Sequence, residues 1–245
     1  VGLAKPFDEK LGHAFERAMD ESAFESFEPS SATSSSWQPF LWELQERNAL
    51  RAKVQIVGPL TAQWSLRSTD GERVDSNPDI GRQIFQLILA RALGMIRRLK
   101  TLGVTPLLFL DEPAFFVYNG ENPHHLVGMQ QLRVLVQALQ KEGALVGLHC
   151  CSNTQWAAVL GLGADFLSID TALSLPSLLQ AKEALLSYVE KGGRLSLGVV
   201  PTNAPKIFSH LSAESLMGSI QEVLSTELGS LSEKILSQAL WTPAC

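Results

Sequence analysis

The chain has 245 residues, the size of one large domain, and its 20 basic against 25 acidic side chains give a net charge of −5. Without a cluster of Lys or Arg, that balance argues against a nucleic-acid-binding surface. No apolar run reaches the roughly 18–20 residues of a membrane span, and no signal peptide is recognisable. Three cysteines, two of them adjacent, make a poor disulfide framework, so a reducing, cytoplasmic compartment is expected.

Residues 1–52 are expected to form helices and loops without recognisable chemistry. The spacing of apolar side chains predicts one helix over 6–19 and a second over 37–50. A tract of Ser, Ala and Thr at 30–36 is typical of a flexible connector. We expect this segment to be the N-terminal part of a single domain that continues over 53–245.

From residue 53 onward, short apolar strands alternate with amphipathic helices, one of which carries Leu178, Leu185 and Val189. This alternation predicts a parallel sheet with helices outside it, and the length suits a (β/α)8 barrel of about 250 residues. The alternative is an open doubly wound sheet, but no G-x-G-x-x-G or P-loop motif favours it. A barrel needs two further strands, and because the chain starts at Val1 rather than Met, at least one is expected upstream. The six predicted strands cover 54–57, 107–110, 144–148, 165–169, 195–200 and 239–245.

The third predicted strand runs into His149-Cys150-Cys151, which holds two of the three cysteines. On a strand, residues two apart point to the same side, so the His149 imidazole and the Cys151 thiol could converge on one metal ion. Cys150 would then face the packing. Two ligands do not make a zinc site, and the alternative is a pair of buried cysteines beside a core histidine.

Polar residues also stand at the ends of the other predicted strands. In a parallel barrel the carboxyl ends of all strands share one face, and active sites lie there. An Asp that ends a strand is otherwise often only a helix cap. The strand-end residues besides His149 and Cys151 are Thr61, Asp111, Glu112, Asp170, Thr202 and Cys245. Four residues could together form a tetrahedral zinc site: His149, Cys151, Asp170 and Cys245.

A zinc site with two thiolates favours one kind of reaction. The negative charge of the thiolates weakens the ion as a generator of hydroxide and suits it to bind a soft thiolate. A substrate thiol bound to zinc loses its proton near neutral pH and remains nucleophilic. The predicted reaction is therefore alkylation of sulfur, and Asp170 would be the ligand that leaves as the thiolate enters.

Two other pairs of polar residues have simpler interpretations. Asp111 and Glu112 are adjacent at a strand end and alternate faces, so only one of them can point into the barrel mouth. The other is expected in a salt bridge or a cap. His124 and His125 fall in a polar loop and are expected to be solvated.

From Lys53 to Cys245 the sequence resembles the C-terminal catalytic barrel of cobalamin-independent methionine synthase, within the uroporphyrinogen-decarboxylase/methionine-synthase-like superfamily. The resemblance implies a zinc-dependent, cytoplasmic methyltransferase of methionine biosynthesis, of the 5-methyltetrahydropteroyltriglutamate–homocysteine type, with homocysteine as the thiol acceptor. The motifs that carry it are Gly58-Pro59-Leu60-Thr61, Leu110-Asp111-Glu112-Pro113-Ala114, His149-Cys150-Cys151, Ala164-Asp165 through Ile169-Asp170-Thr171, and Trp241-Thr242-Pro243-Ala244-Cys245.

Matched motif by motif, the resemblance implies site residues. Asp170 stands where the family has a Glu ligand that is longer by one methylene. Asp111 falls on the family's Asp that holds the ammonium group of homocysteine, and Trp64 is the candidate for the family's folate-site Trp. The implied zinc ligands are His149, Cys151, Asp170 and Cys245, and the substrate-binding residues are Asp111, Glu112, Thr61 and Trp64.

The methyl donor is open, because the family's G-S-x-P element and separate N-terminal barrel do not occur in this sequence. The element His149-x-Cys151-x-Asn153-Thr154 is also similar to the H-x-C-x-N-T of zinc-dependent corrinoid methyltransferases, which methylate a thiol from methylcobalamin. The expected partners are thus a small thiol and a folate or corrinoid-protein donor, with no nucleic acid and no membrane. A third hypothesis is a barrel without catalysis that only binds or scaffolds, which Asp170 in place of Glu favours.

Overall fold

The computed structural model describes residues 27–69, 71–72, 74, 77–202 and 212–244. The helix predicted over 6–19 and the zinc-ligand candidate Cys245 lie outside these residues. The chain divides into two compact units. The first comprises Val1–Asp111 and Leu126–Val146, and the second comprises Glu112–His125 and Gly147–Cys245. The proposed division at residue 53 stays a prediction.

Short strands alternate with helices throughout the described residues, as the sequence predicts, with ends that differ by a few residues. The strands are β1 (Arg51–Val57), β2 (Thr105–Asp111), β3 (Leu145–Cys150), β4 (Phe166–Asp170), β5 (Arg194–Val200) and β6 (Leu240–Pro243). The helices are α1 (Trp37–Glu46), α2 (Pro59–Ser65), α3 (Pro78–Thr101), α4 (Pro123–Lys141), α5 (Trp156–Leu160), α6 (Thr171–Gln180), α7 (Lys182–Glu190), α8 (Ala213–Leu228) and α9 (Leu231–Gln238), with a 3-10 helix at Pro113–Val117.

In the first unit β1 and β2 pair in parallel, with α3 packed against both. Asn77 caps α3 by accepting the backbone N–H groups of Asp79 and Ile80, which is the usual role of Asn at this position. The strands differ in burial. Along β1, the buried residues Ala52 and Val54 alternate with the exposed residues Arg51, Lys53 and Gln55, whereas the interior of β2 is buried throughout.

In the second unit the part of β3 from Gly147 onward, β4, β5 and β6 pair in parallel in chain order. Residues of β4 and β5 such as Ile169 and Leu197 are almost completely buried, as expected of parallel strands covered on both faces. The helix predicted to carry Leu178 and Leu185 is instead two helices, α6 and α7, which meet at Ala181. Both leucines are nonetheless fully buried, so the apolar spacing correctly indicated which side chains face the core, although the helix is interrupted.

The α/β character of the fold prediction is therefore confirmed: parallel strands alternate with helices. The eight-stranded barrel stays a prediction. None of the described helices is long and apolar enough to cross a membrane.

Candidate functional site

His149 is the second-to-last residue of β3, and its side chain contacts the neighbouring strand β4. Its register partner on β4 is Ser168, and Nδ1 of His149 lies 3.0 Å from Oγ of Ser168. The imidazole is half-buried, whereas Ser168 is only 7% exposed. A hydrogen bond to one ring nitrogen sets the orientation and tautomer with which the other nitrogen can act.

The two cysteines of the motif have different surroundings. Cys150 is fully buried, and its thiol donates to the carbonyl oxygen of Ser152 over 3.2 Å, so it faces the packing as predicted. Cys151 is half-buried. Because β3 ends at Cys150, Cys151 lies in a bend beyond the strand. The strand rule that places residues two apart on one side therefore does not by itself bring Cys151 next to His149.

Asp170 ends β4 and caps α6. Its Oδ1 accepts the backbone N–H of Ala172 at 2.9 Å and of Leu173 at 3.2 Å. The residue is only 8% exposed. Asp170 thus caps the helix through only one of its two carboxylate oxygens, Oδ1. The other oxygen, Oδ2, makes no hydrogen bond to the described residues.

A cavity of about 380 Å³ lies beside Asp170, at the carboxyl ends of β4 and β5. Of the strand-end residues singled out in the sequence, Asp170 and Thr202 line it. Leu216 and Ile220 of α8 also line the cavity, and as apolar helix residues they carry no signal of a site in the sequence. The lining residues are Asp170, Thr171, Ala172, Leu173, Gly198, Val199, Pro201, Thr202, Leu216, Ser219, Ile220 and Ala244.

Three candidate substrate residues lie in the first unit. Asp111 ends β2 and is half-buried, and the side-chain amide of Gln55 donates to its Oδ2 over 3.1 Å. Thr61 and Trp64 are both half-buried on α2. They are three residues apart, so they lie on neighbouring positions of the helix surface.

Glu112, the fourth candidate, belongs to the second unit and is fully buried. Its backbone N–H donates to the carbonyl oxygen of His149 over 2.8 Å. This bond places the residue after β2 directly beside the His149 position of β3. A carboxyl group buried to this extent is uncommon unless other groups satisfy it.

The expectation that both histidines of the His124-His125 pair are solvated is wrong for His125. Helix α4 begins at Pro123, so both residues lie in its first turn rather than in a loop. His124 is exposed, but His125 is 7% exposed and its Nδ1 accepts the backbone N–H of Asn119 over 3.0 Å. Its ring also stacks on Tyr118, with 6.2 Å between the ring centroids.

Within the described part of the chain, no group of three or more His, Cys, Asp or Glu side chains is arranged to hold a metal ion. The structure therefore does not bring His149, Cys151 and Asp170 together as a metal-binding group. The fourth predicted ligand, Cys245, lies outside the described residues. The zinc site consequently stays a prediction.

No protein-family model matches the chain, and no characterised protein matches its sequence significantly. Among solved structures, the chain is similar to a methyltransferase from Methanosarcina mazei, with a TM-score of 0.51 and 15% identity over 84% of this chain and 56% of that one. An orotidine 5'-phosphate decarboxylase-like protein from Streptomyces avermitilis gives a TM-score of 0.42 and 18% identity over 84% of this chain and 68% of that one.

These likenesses concern the fold alone. The chain spans 56% of the length of the methyltransferase that it matches. The α/β fold is thus shared with a methyltransferase structure, and no particular family is identified.

Proposed function

We propose that the protein is a methyltransferase that transfers a methyl group to a thiol at the carboxyl ends of its strands. The observation that carries the proposal is the arrangement at the end of β3: the His149 ring is held through Nδ1 by Ser168, and the half-buried Cys151 thiol follows two residues later. Metal-binding histidines typically use one ring nitrogen for the metal and the other for such a hydrogen bond. The fold shared with a methyltransferase supports the same class of reaction.

In this proposal His149, Cys151 and Cys245 would hold zinc, and Asp170 would be the exchangeable fourth ligand. Bound zinc would favour the thiolate form of the acceptor, so that the thiol proton is lost to solvent near neutral pH. The acceptor sulfur then attacks the methyl carbon of the donor, so that the new sulfur–carbon bond forms as the donor's bond to the methyl group breaks. Ser168 keeps the His149 ring in place throughout, and the bonds to Oδ1 keep Asp170 at the start of α6.

The remaining assignments follow the resemblance to methionine synthase. The proposed acceptor is homocysteine, with its ammonium group on Asp111, and Glu112, Thr61 and Trp64 are the other proposed substrate residues. The proposed donor is a methylated folate or a methylated corrinoid protein.

The test is zinc content by elemental analysis of the full chain, comparing wild type with Cys151→Ser and with Cys150→Ser as the matched control. Cys150 is adjacent but packed inside, with its thiol already bonded to a backbone carbonyl. We expect about one zinc per chain in wild type and in the control, and loss of zinc in Cys151→Ser. Methyl transfer to homocysteine is then assayed with methylcobalamin and with methyltetrahydrofolate, which separates the two donors.

A folded wild-type protein that takes up no zinc after incubation with it would contradict the mechanism. The second candidate function, a non-catalytic binding protein, would then be favoured. Its supporting observation is that Asp170 already serves as a helix cap through Oδ1. That candidate predicts no methyl transfer from either donor.

A further inference from the structure

The cavity beside Asp170 combines an apolar wall with polar groups. Leu216 and Ile220 are four residues apart on α8 and are both half-buried, so they present one continuous apolar surface. On the strand side, Gly198 of β5 has no side chain to occupy the space. The lining residues in the described part of the chain include one acid, Asp170, and no basic side chain. Cavities of roughly 300–1,000 Å³ with a few placed polar groups are the usual form of small-molecule sites.

The carboxylate of Asp170 is held in position but not fully satisfied. Two backbone N–H groups bond to Oδ1, whereas Oδ2 bonds to none of the described residues. Oδ2 is also not sealed among packed atoms, in contrast with the hydroxyl of Ser196 on β5, which has neither a partner nor contact with solvent. Asp170 is 8% exposed and lines the cavity, so the cavity is where a partner for Oδ2 can be accommodated.

We propose that this cavity binds a small ligand with a protonated primary amine, whose ammonium group bonds to Oδ2 of Asp170 while a short aliphatic arm lies against Leu216 and Ile220. An ammonium has three N–H donors and compensates the charge of a buried carboxylate, which is costly to leave unpaired. Hydrogen bonds between two charged groups are also about twice as strong as neutral ones. A carboxylate ligand would instead meet the negative charge of Asp170.

The proposal goes beyond the proposed methyl transfer and holds whether or not the protein binds zinc. The amine site at Asp170 is separate from the acceptor's ammonium group, which the proposed function places on Asp111.

The test uses three probes of equal carbon number, butylamine, butan-1-ol and butyrate, added to the full ¹⁵N-labelled chain in the presence of EDTA. Binding is read from the amide resonances of Ala172 and Leu173, the two groups that donate to Asp170. At neutral pH the amine is protonated and the acid is ionised. We expect saturable shifts with butylamine, and affinities for the other two probes that are at least about tenfold weaker.

Two variants test separately the negative charge of Asp170 and the free volume of the cavity. Asp170→Asn keeps an N-cap of similar quality and is expected to weaken butylamine binding about 10- to 100-fold. Ile220→Phe keeps the charge but reduces the free volume, and is expected to weaken binding of the aliphatic arm. Asp79→Asn, an equal change of charge at an exposed residue of α3, is the control and should bind as wild type does.

The proposal is overturned if wild type shows no saturable response to butylamine. It is equally overturned if butyrate or butanol binds as tightly as butylamine, or if Asp170→Asn retains wild-type affinity. Because EDTA removes zinc, none of these results depends on the proposed zinc site. Failure of the zinc analysis would likewise leave the amine result unchanged.

Discussion

Two glycines of the second unit should respond to alanine substitution in opposite directions. Gly198 lies on β5 between neighbouring strand segments. A Cβ there would come 2.8 Å from the carbonyl oxygen of Ile169, 3.1 Å from Cα of Ala244 and 3.1 Å from the carbonyl oxygen of Pro243. Gly218 lies inside α8, and a Cβ there would meet no atom within 4 Å.

The geometry sets the size of each effect. All three atoms near Gly198 are backbone atoms, so they can withdraw only if β4 or the β6 segment moves. Overpacking of this kind costs about 1–3 kcal/mol, and the conformational advantage of Ala over Gly offsets about 0.5–1 kcal/mol of it. The difference spans about 0–2.5 kcal/mol, so we expect Gly198→Ala to lose about 1 kcal/mol of unfolding free energy. Gly218→Ala should gain about 0.5–1 kcal/mol, because it has the conformational advantage without the clash.

The assay is urea unfolding of wild type and both variants, followed by circular dichroism, with the free energy of unfolding taken from each transition. Each variant serves as the control for the other, since the chemical change is identical. The reasoning is refuted if Gly198→Ala is as stable as wild type. It is also refuted if the two variants shift stability in the same direction.

Three further predictions concern single side chains. Asp170→Ala should lose about 1 kcal/mol of unfolding free energy through the lost cap, and Asp170→Asn should lose little, as urea unfolding would show; equal losses would contradict the cap. Burial raises the pKa of Tyr188 well above its ordinary value, so in a Tyr118→Phe variant the absorbance of the folded protein should show no phenolate at about pH 10, where an ordinary phenol is half ionised. The unfolded phenol ionises near pH 10, whereas the folded protein keeps the Tyr188 phenol protonated. The free energy of unfolding is therefore unaffected by this group below about pH 10 and declines as the pH rises above it. Ser168→Ala should weaken zinc binding about tenfold or more in chelator competition, because it removes the hydrogen bond to His149; unchanged affinity would show that the bond does not support a metal ligand.

Much of the secondary structure could be predicted because its signals are local. Apolar runs mark the strands, and the helix-ending glycines Gly103, Gly143 and Gly192 adopt φ values of 73°, 94° and 95°, which non-glycine residues rarely adopt. The break between α6 and α7 at Ala181 could not be predicted in the same way. The apolar side chains on either side keep one helical spacing, and both halves are buried, so the sequence pattern continues through the break.

The candidate site was predictable only as a set of residues at strand ends. The polar residues His149 and Asp170 do lie at the ends of β3 and β4, because apolar runs fix where a strand stops. Their partners could not be read from the chain. Ser168 bonds to His149 because of the register between two strands, and a shift of one residue would turn it to the opposite face.

The alternation of strands and helices follows from local signals in the sequence, since residue spacing and glycine turns act over a few residues. Which side chains share a space depends on how the segments pack in three dimensions. The buried His125 accepts a hydrogen bond from the backbone of Asn119, and the cavity forms where α8 lies beside Asp170. Both depend on contacts between segments that are far apart along the chain or turned toward each other by a loop, and no local spacing encodes such contacts.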